Sequence, residues 1–218
     1  MSRTFGLLLI ALCLGSVAYS ADFSLGLHGG YKGGASFGAS GIVSDFAQGF
    51  PLAAEFGVAY SSLDPGDPWQ ARRVFIANAT NGTPETSGRT WDFKMELLYN
   101  LRFAGPKATY LYAGMRYSAF DGHFDYVGAN EEFDVTSTQW GFSLGLRGLF
   151  AMSNRVCLML SAGAVGYFNG PLHGHDTTYN PDNQNVNPRE NFTYKDASAA
   201  VNAPRFQPEV LVGITYVM

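Results

Sequence analysis

The sequence predicts an all-β chain closed as an eight-stranded antiparallel up-and-down transmembrane β-barrel. Three observations carry that prediction: hydropathy alternates with a period of two, short and long connections alternate along the chain, and aromatic residues collect at both ends of the oily face. Composition narrows the alternatives first. The chain has 218 residues, 15% aromatic and only 15% charged, with 26 glycines. That aromatic content argues against disorder. Two cysteines, Cys13 and Cys157, provide neither a disulfide framework in an exported chain nor a cysteine zinc site. A net charge of −4 offers no basic face for phosphates, so nucleic acid is not an expected partner. The mean hydropathy of −0.03 looks soluble. Alternating lipid-facing and polar residues, however, averages to the same value.

Residues 1–20 read as a secretory signal peptide, and 21–218 as the barrel domain. Arg3 supplies a positive start, Phe5 to Leu14 form an apolar run, and Val17-Ala18-Tyr19-Ser20-Ala21 is a small-residue cleavage segment. The apolar run is too short for an anchor, and no later segment is long enough for a membrane-spanning helix. A strand-built structure is therefore the only expected way across a bilayer.

Alternation is clearest in three segments. Trp91, Phe93, Met95, Leu97, Tyr99 and Leu101 interleave with Thr90, Asp92, Lys94, Glu96, Leu98 and Asn100. Trp140, Phe142, Leu144, Leu146, Gly148 and Phe150 do so with Gln139, Gly141, Ser143, Gly145 and Arg147. Phe206, Pro208, Val210, Val212, Ile214, Tyr216 and Met218 close the chain the same way. A helix would scatter each set over its circumference, whereas a strand gives one oily and one wet face. Extending outward from these gives strands at 23–32, 36–46, 50–61, 89–102, 107–119, 137–150, 155–168 and 205–217.

The connections order those strands. Ala47-Gln48-Gly49, Phe103-Ala104-Gly105-Pro106 and Ala151-Met152-Ser153-Asn154 are short and follow strands two, four and six. Residues 62–88, 120–136 and 169–204 are long and follow strands three, five and seven; only Gly33 to Ala35 is short on that rim. Short turns at one end and long loops at the other are the asymmetry of membrane barrels.

Aromatic residues mark both rims of the oily face. The long-loop rim carries Tyr31, Tyr60, Trp91, Tyr117, Trp140, Phe168 and Phe206; the short-turn rim carries Phe23, Phe50, Tyr99, Phe103, Phe150 and Tyr216. Such rings settle at headgroup level. A soluble sandwich or lipocalin-like barrel has the same alternation turned inside out. Two features oppose it: the other face is rich in Gly and Ser, which suits a crowded lumen, and the total charge is low for a wet exterior.

In the opening Phe23-Ser24-Leu25-Gly26-Leu27-His28-Gly29-Gly30-Tyr31 and the closing Val210-Leu211-Val212-Gly213-Ile214-Thr215-Tyr216-Val217-Met218, the chain resembles the small eight-stranded outer-membrane barrels: the OmpA transmembrane domain, OmpX and the opacity-type proteins. Those barrels usually end in Phe or Trp, whereas this chain ends in Met218 with Tyr216 two residues before it. The resemblance implies a bacterial outer membrane with both termini periplasmic and the loops extracellular. It further implies outer-membrane lipids and lipopolysaccharide as surroundings, delivery by the barrel assembly machinery, a monomer, and no cofactor.

Three kinds of function fit such a barrel. The first is a non-enzymatic structural or surface-interaction role through the long loops, whose ligand the sequence does not name. The second is a narrow channel, and the third a lipid-modifying enzyme. The expected lumen holds Glu55, Asp92, Lys94, Glu96, Arg116, Arg147 and Glu209, with Tyr110, Tyr112 and Gln139 nearby. Charges in so narrow a space must pair, which reads as a plug before it reads as a pore. For an enzyme the base must reach the nucleophile. His28 faces the lumen and His123, His173 and His175 sit in loops, none on a strand beside a rim Ser, so no catalytic residue is expected. His173-Gly174-His175-Asp176 has metal-like spacing but reads as a solvated loop. Cys157 is expected as a buried thiol, and the Asn78, Asn81 and Asn191 tripeptides as loop composition. Trp69, Phe75, Tyr126, Phe133, Tyr179, Phe192 and Tyr194 lie beyond the membrane band, where they pack the loops or meet a partner. Residues 121–127 and 131–136 are placed to prolong strands five and six as a hairpin.

Overall fold

The computed structural model describes residues 21–46, 51–102 and 106–218. The expected leader at 1–20 and the girdle positions Phe50 and Phe103 lie outside them. Eight long strands form the wall: β1 (Asp22–Lys32), β2 (Ala35–Ser44), β3 (Leu52–Leu63), β4 (Thr83–Asn100), β5 (Ala108–Val127), β6 (Glu131–Ala151), β7 (Val156–Tyr167) and β10 (Phe206–Val217). Two short strands, β8 (Leu172–Gly174) and β9 (Thr177–Tyr179), and two helices, α1 (Pro68–Phe75) and α2 (Tyr194–Ala200), belong to the loops. The strands run β5-β4-β3-β2-β1-β10-β7-β6, and pairing of β5 with β6 closes the ring. First and last strands meet antiparallel, with Leu27 opposite Ile214.

Side chains alternate between the two sides of this wall. Along β4, Trp91, Phe93, Met95, Leu97 and Tyr99 are exposed while Thr90, Asp92, Lys94, Glu96 and Leu98 are buried. In β6 and β10, Phe142, Leu144, Leu146, Val210, Val212 and Ile214 likewise point outward. An apolar belt this continuous has only lipid to cover it.

At the short-turn rim β2 ends at Ser44, β3 starts at Leu52 and β4 ends at Asn100, each two residues inside the expected bounds; the large departures are on the long-loop rim. β4 starts six residues before the expected 89, and β5 and β6 run through 108–127 and 131–151, confirming the projecting hairpin. A transmembrane strand needs about 9–11 residues, so the 20 residues of β5 and 21 of β6 stand well clear of the bilayer. The polarity of β5 inverts where it leaves. Within the belt, Leu111 and Met115 face out and Arg116 and Ser118 face in; beyond Ala119, Asp121, His123 and Asp125 face out and Phe120, Phe124 and Tyr126 face in. One strand thus obeys the lipid rule below and the water rule above, which places the headgroup boundary at Tyr117 to Ala119 and excludes the soluble, inside-out arrangement.

The long connections are folded. α1 starts because Asp67 accepts from the backbone N–H groups of Trp69 (2.9 Å) and Gln70 (3.1 Å), while Pro68 at the first position needs no partner. At α2, Asp196 accepts from the Thr193 N–H (2.8 Å) and hydroxyl (2.6 Å). β7 covers β6 only from Gly141 onward, and above that point β8 takes the free edge through Val135 and Thr136. The two helices pack on one another, and Ala71, Val74, Phe75, Ala197 and Ala200 share a buried core with Phe124, Tyr126, Phe133, Val135, Leu172 and Tyr179. The β5 and β6 members of that core stand on the face that points into the lumen lower down. The helices therefore lie on the inner side of the hairpin, over the barrel mouth.

Candidate functional site: the lumen and its cap

The inward parity of each strand brings charges from across the wall into contact. Glu55 on β3 meets Lys94 at 2.7 Å and also pairs with Arg147. Glu96, on the same strand as Lys94, accepts from Arg116 Nη2 (2.6 Å) and Nε (3.1 Å) and from the Ser143 hydroxyl (2.7 Å). Arg147 and Lys94 stand 3.6 and 3.7 Å from Glu96. Arg116 also reaches Glu209 on β10 at 3.3 Å, and Tyr112 donates to the same carboxylate at 3.3 Å. Nearer the long-loop rim, Asp92 pairs with Lys32 and accepts from the Tyr167 hydroxyl, and Lys32 in turn donates to Tyr167 at 3.3 Å.

The result is charge-balanced. Carboxylates Glu55, Asp92, Glu96 and Glu209 face cations Lys32, Lys94, Arg116 and Arg147, and every one of these side chains is buried. Desolvating a lone charge here would cost roughly several kcal/mol, the usual penalty for a buried ion. The interlocked set offsets that cost by giving each charge an opposite neighbour. Chemically the arrangement holds strands together across the lumen and fills it.

All seven lumen residues expected from the sequence fall in this network. Lys32 and Tyr167 were missed, although parity alone would have found them: Lys32 follows His28 and Gly30 in step of two, and Tyr167 is the inward neighbour of Phe168. Gln139 stands apart from the ion pairs, donating to the Phe168 carbonyl at 3.2 Å. Cys157 is buried with Leu149 and Met159.

Around the belt, Tyr31, Trp91, Trp140, Phe168 and Phe206 are exposed at the long-loop rim and Phe23, Tyr99, Phe150 and Tyr216 at the other. Tyr60 and Tyr117 are half-buried because neighbouring rings cover them. Tyr60 lies 5.3 Å from both Phe37 and Trp91, and Tyr117 lies 5.1 Å from Trp140. Phe37 completes this rim and was not among the expected girdle residues.

Above the lumen, Arg72 of α1 is fully buried, donating to Glu131, to the Asn81 carbonyl (2.7 Å) and to Asn81 Oδ1 (2.9 Å), with its guanidinium 4.5 Å from the Tyr126 ring centroid. Burial pushes the Tyr126 phenol up to about 12, and its hydroxyl donates to the Pro68 carbonyl. Tyr179 donates to the Val74 carbonyl at 2.9 Å. The connection after β3 is tied to the one before β10 by Asp67 N–H to Ala200 O (2.9 Å) and Asn202 N–H to Pro65 O (2.8 Å). Phe75, Tyr126, Phe133 and Tyr179 thus pack the loops on one another, with Phe192 and Tyr194 against them. Trp69 is the partly exposed member, its ring 5.8 Å from that of Tyr126.

The histidines are dispersed. His28 is buried in the lumen wall. His123, on the outer face of the hairpin, lies 2.8 Å from Asp134, a hydrogen bond that holds its pKa above the ordinary value. His173 contacts the Thr178 hydroxyl at 3.0 Å and His175 lies 3.5 Å from Asp176. Among the described residues there is no cluster of three or more metal-ligating side chains.

The sequence matches no protein-family model and no curated protein. Solved structures do match. A major outer membrane protein from Thermus thermophilus superposes with a TM-score of 0.74 at 21% identity, covering 92% of this chain and 100% of that one. Ail, the attachment invasion locus protein of Yersinia pestis, gives 0.46 at 8% identity over 91% of this chain and 98% of its own. CarO2 of Acinetobacter baumannii gives 0.47 at 10% over 90% and 98%. The chain has the fold of the small eight-stranded outer-membrane barrels.

Proposed function

We propose that this barrel is a non-enzymatic outer-membrane protein that closes its own lumen and presents its folded cap at the cell surface, as an interaction platform or an envelope-stabilising element. One observation carries the reading: the charge-balanced plug in the lumen is followed, in series, by a cap with its own apolar core. A conducting pore needs mobile water along its axis, and both layers oppose it. In this reading the termini and short turns face the periplasm and the cap faces outward, as in bacterial barrels with long extracellular loops. Lipids, including lipopolysaccharide, surround the belt of a monomer inserted by the barrel assembly machinery.

Planar-bilayer recording tests this. The refolded protein, verified by its heat-dependent electrophoretic mobility, is expected to insert without conductance steps. Regular single-channel openings would overturn the closed-lumen reading in favour of a narrow channel.

A further inference from the structure

The lipid-facing wall is not even. Over β1, β2, β3 and β10 it carries an apolar furrow of about 1000 Å³. Two register rows cross it: Tyr216, Leu25, Gly41 and Phe56 face one another on successive strands, and two residues nearer the long loops Ile214, Leu27, Ala39 and Val58 do the same. Gly41 and Ala39 on β2 form the floor, with Leu25 and Leu27 as one bank and Phe56 and Val58 as the other. The two ends differ. At the long-loop end stand Phe37 and Tyr60, the next outward residues on β2 and β3, with rings 5.3 Å apart. At the short-turn end the corresponding pair is Val43 and Ala54, too small to close it.

Neither backbone nor packing within the chain requires glycine at position 41. A glycine inside a strand weakens that strand. Gly41 is nevertheless outside the positive-φ region, and a Cβ there would meet nothing nearer than Leu25 Cδ2 at 3.9 Å, an ordinary contact. The bare floor therefore serves whatever approaches the wall from outside. A second observation stands at the open end. Arg155, in the turn between β6 and β7, donates from Nη1 to the Tyr216 hydroxyl at 3.3 Å, and Tyr216 lines the furrow. The Arg155 side chain is exposed at the short-turn rim and makes no ion pair among the described residues. Its charge is thus presented at headgroup level without a carboxylate to neutralise it.

An apolar furrow that ends beside a free guanidinium suits a molecule with both characters. A diacyl phospholipid has them: one acyl chain can lie along the floor while the phosphate takes the hydrogen bonds that Arg155 has to spare. A second barrel would bring a convex wall, which touches the banks and leaves the floor empty. A lipid A molecule would have to enter from the opposite rim, which Phe37 and Tyr60 close. We propose that the furrow is a seat for one phospholipid of the periplasmic leaflet, held at its phosphate by Arg155 and along one chain by the β2 floor. Naming the leaflet rests on the orientation proposed above; the seat itself rests on the wall.

The test is native mass spectrometry of the refolded protein, released from detergent micelles after incubation with one of three probes. These are palmitoyl-oleoyl phosphatidylglycerol, palmitoyl-oleoylglycerol, which has the same chains and no phosphate, and lipid A. The expected result is one phosphatidylglycerol per barrel, bound about tenfold more tightly than the diacylglycerol, the worth of one charge-assisted hydrogen bond, and no retained lipid A. Arg155→Ala is expected to weaken phosphatidylglycerol about tenfold, to the level of the diacylglycerol. Gly41→Leu fills the floor and should abolish retention of both. Gly166→Leu, at an open position on the outer face of β7 away from the furrow, should bind as the parent does. Each variant is first checked for the folded electrophoretic form. A parent that retains no phospholipid, diacylglycerol bound as tightly as phosphatidylglycerol, a preference for lipid A, or a mass of two chains would overturn the proposal. So would parental binding by Arg155→Ala or Gly41→Leu, or loss of binding in Gly166→Leu. Because no current is read, this outcome is independent of the conductance experiment.

Discussion

The Tyr112 ring of β5 lies across Gly163 of β7, its hydroxyl in the space that a Cβ on Gly163 would take. Gly145 of β6, paired with both residues, lies beneath the same ring. Two adjacent glycines lower the wall so that the tyrosine reaches Glu209 on β10, the third strand along from β5, while its ring stacks 5.2 Å from the Arg147 guanidinium. Small residues on the inner face thus serve the polar plug directly.

Gly163→Ala is therefore expected to destabilise the barrel. The added methyl would meet Tyr112 and also the Leu144 carbonyl oxygen at 2.6 Å, which is backbone and does not swing aside. Overpacking of this kind costs about 1–3 kcal/mol. Gly166→Ala, where nothing stands within 4 Å, is the matched control. Urea unfolding in micelles followed by gel mobility should separate the two; equal midpoints would show that Tyr112 has another place to go.

Arg116→Ala leaves Glu96 and Glu209 buried without their principal cation. Removing one partner of a buried pair costs about 3–5 kcal/mol, so the unfolding midpoint should fall further than for Gly163→Ala. Conductance, by contrast, is expected to stay absent even in the Arg116→Ala, Arg147→Ala double variant, because the cap still covers the mouth. Channel openings in that variant would show that the lumen charges alone keep the barrel shut.

His123 gives the hairpin a pH dependence. Its pKa is raised chiefly by the hydrogen bond to Asp134, with the charges of Asp134, Glu132 and Asp125 adding to it. A raised folded-state pKa means that the stabilisation is fully present below about 6.5, the ordinary histidine value, and is lost as pH rises through the folded-state pKa. Protection factors of the amides at the hairpin tip, taken relative to unfolded-chain exchange at the same pH, should therefore fall on going from about pH 5.5 to alkaline conditions, the range over which this residue titrates. Asp134→Asn should remove most of the difference; if it does not, the tip's pH dependence comes from another group.

The wall was legible in the sequence because a strand in a barrel records its environment every second residue. Trp91 to Tyr99 state one face and Asp92 to Glu96 the other without knowledge of partners. The inversion at Ala119 was equally present, in Arg116 and Ser118 giving way to Phe120 and Phe124 on one parity, and it decides inside from outside where alternation alone does not. What could not be read was register. Whether Glu96 meets Arg116 or Arg147 depends on the stagger of strands around the ring, which no single strand encodes. The helices were hidden for a different reason. α1 is eight residues long and α2 seven, so each depends on the cap core for its stability, and such short segments in polar loops give little periodic signal.

The cap's stability should depend on Arg72. Its guanidinium joins α1 to Asn81, ahead of β4, and to Glu131 on β6, and it covers the Tyr126 ring. Arg72→Met keeps most of the buried volume but gives up these bonds, leaving the Asn81 carbonyl and the exposed side of Glu131 to solvent. With hydrogen bonds to charged groups worth about 1.5–3 kcal/mol each before such compensation, the cap should open locally while the membrane-spanning part of the barrel, below the projecting hairpin, shares none of these contacts and stays folded. Limited proteolysis is the measurement: residues 76–82 should be cleaved faster in the variant, with the heat-dependent mobility of the barrel retained. Cleavage at the parental rate would mean that Phe75, Phe124, Phe133 and Tyr179 hold the cap without help from the buried guanidinium.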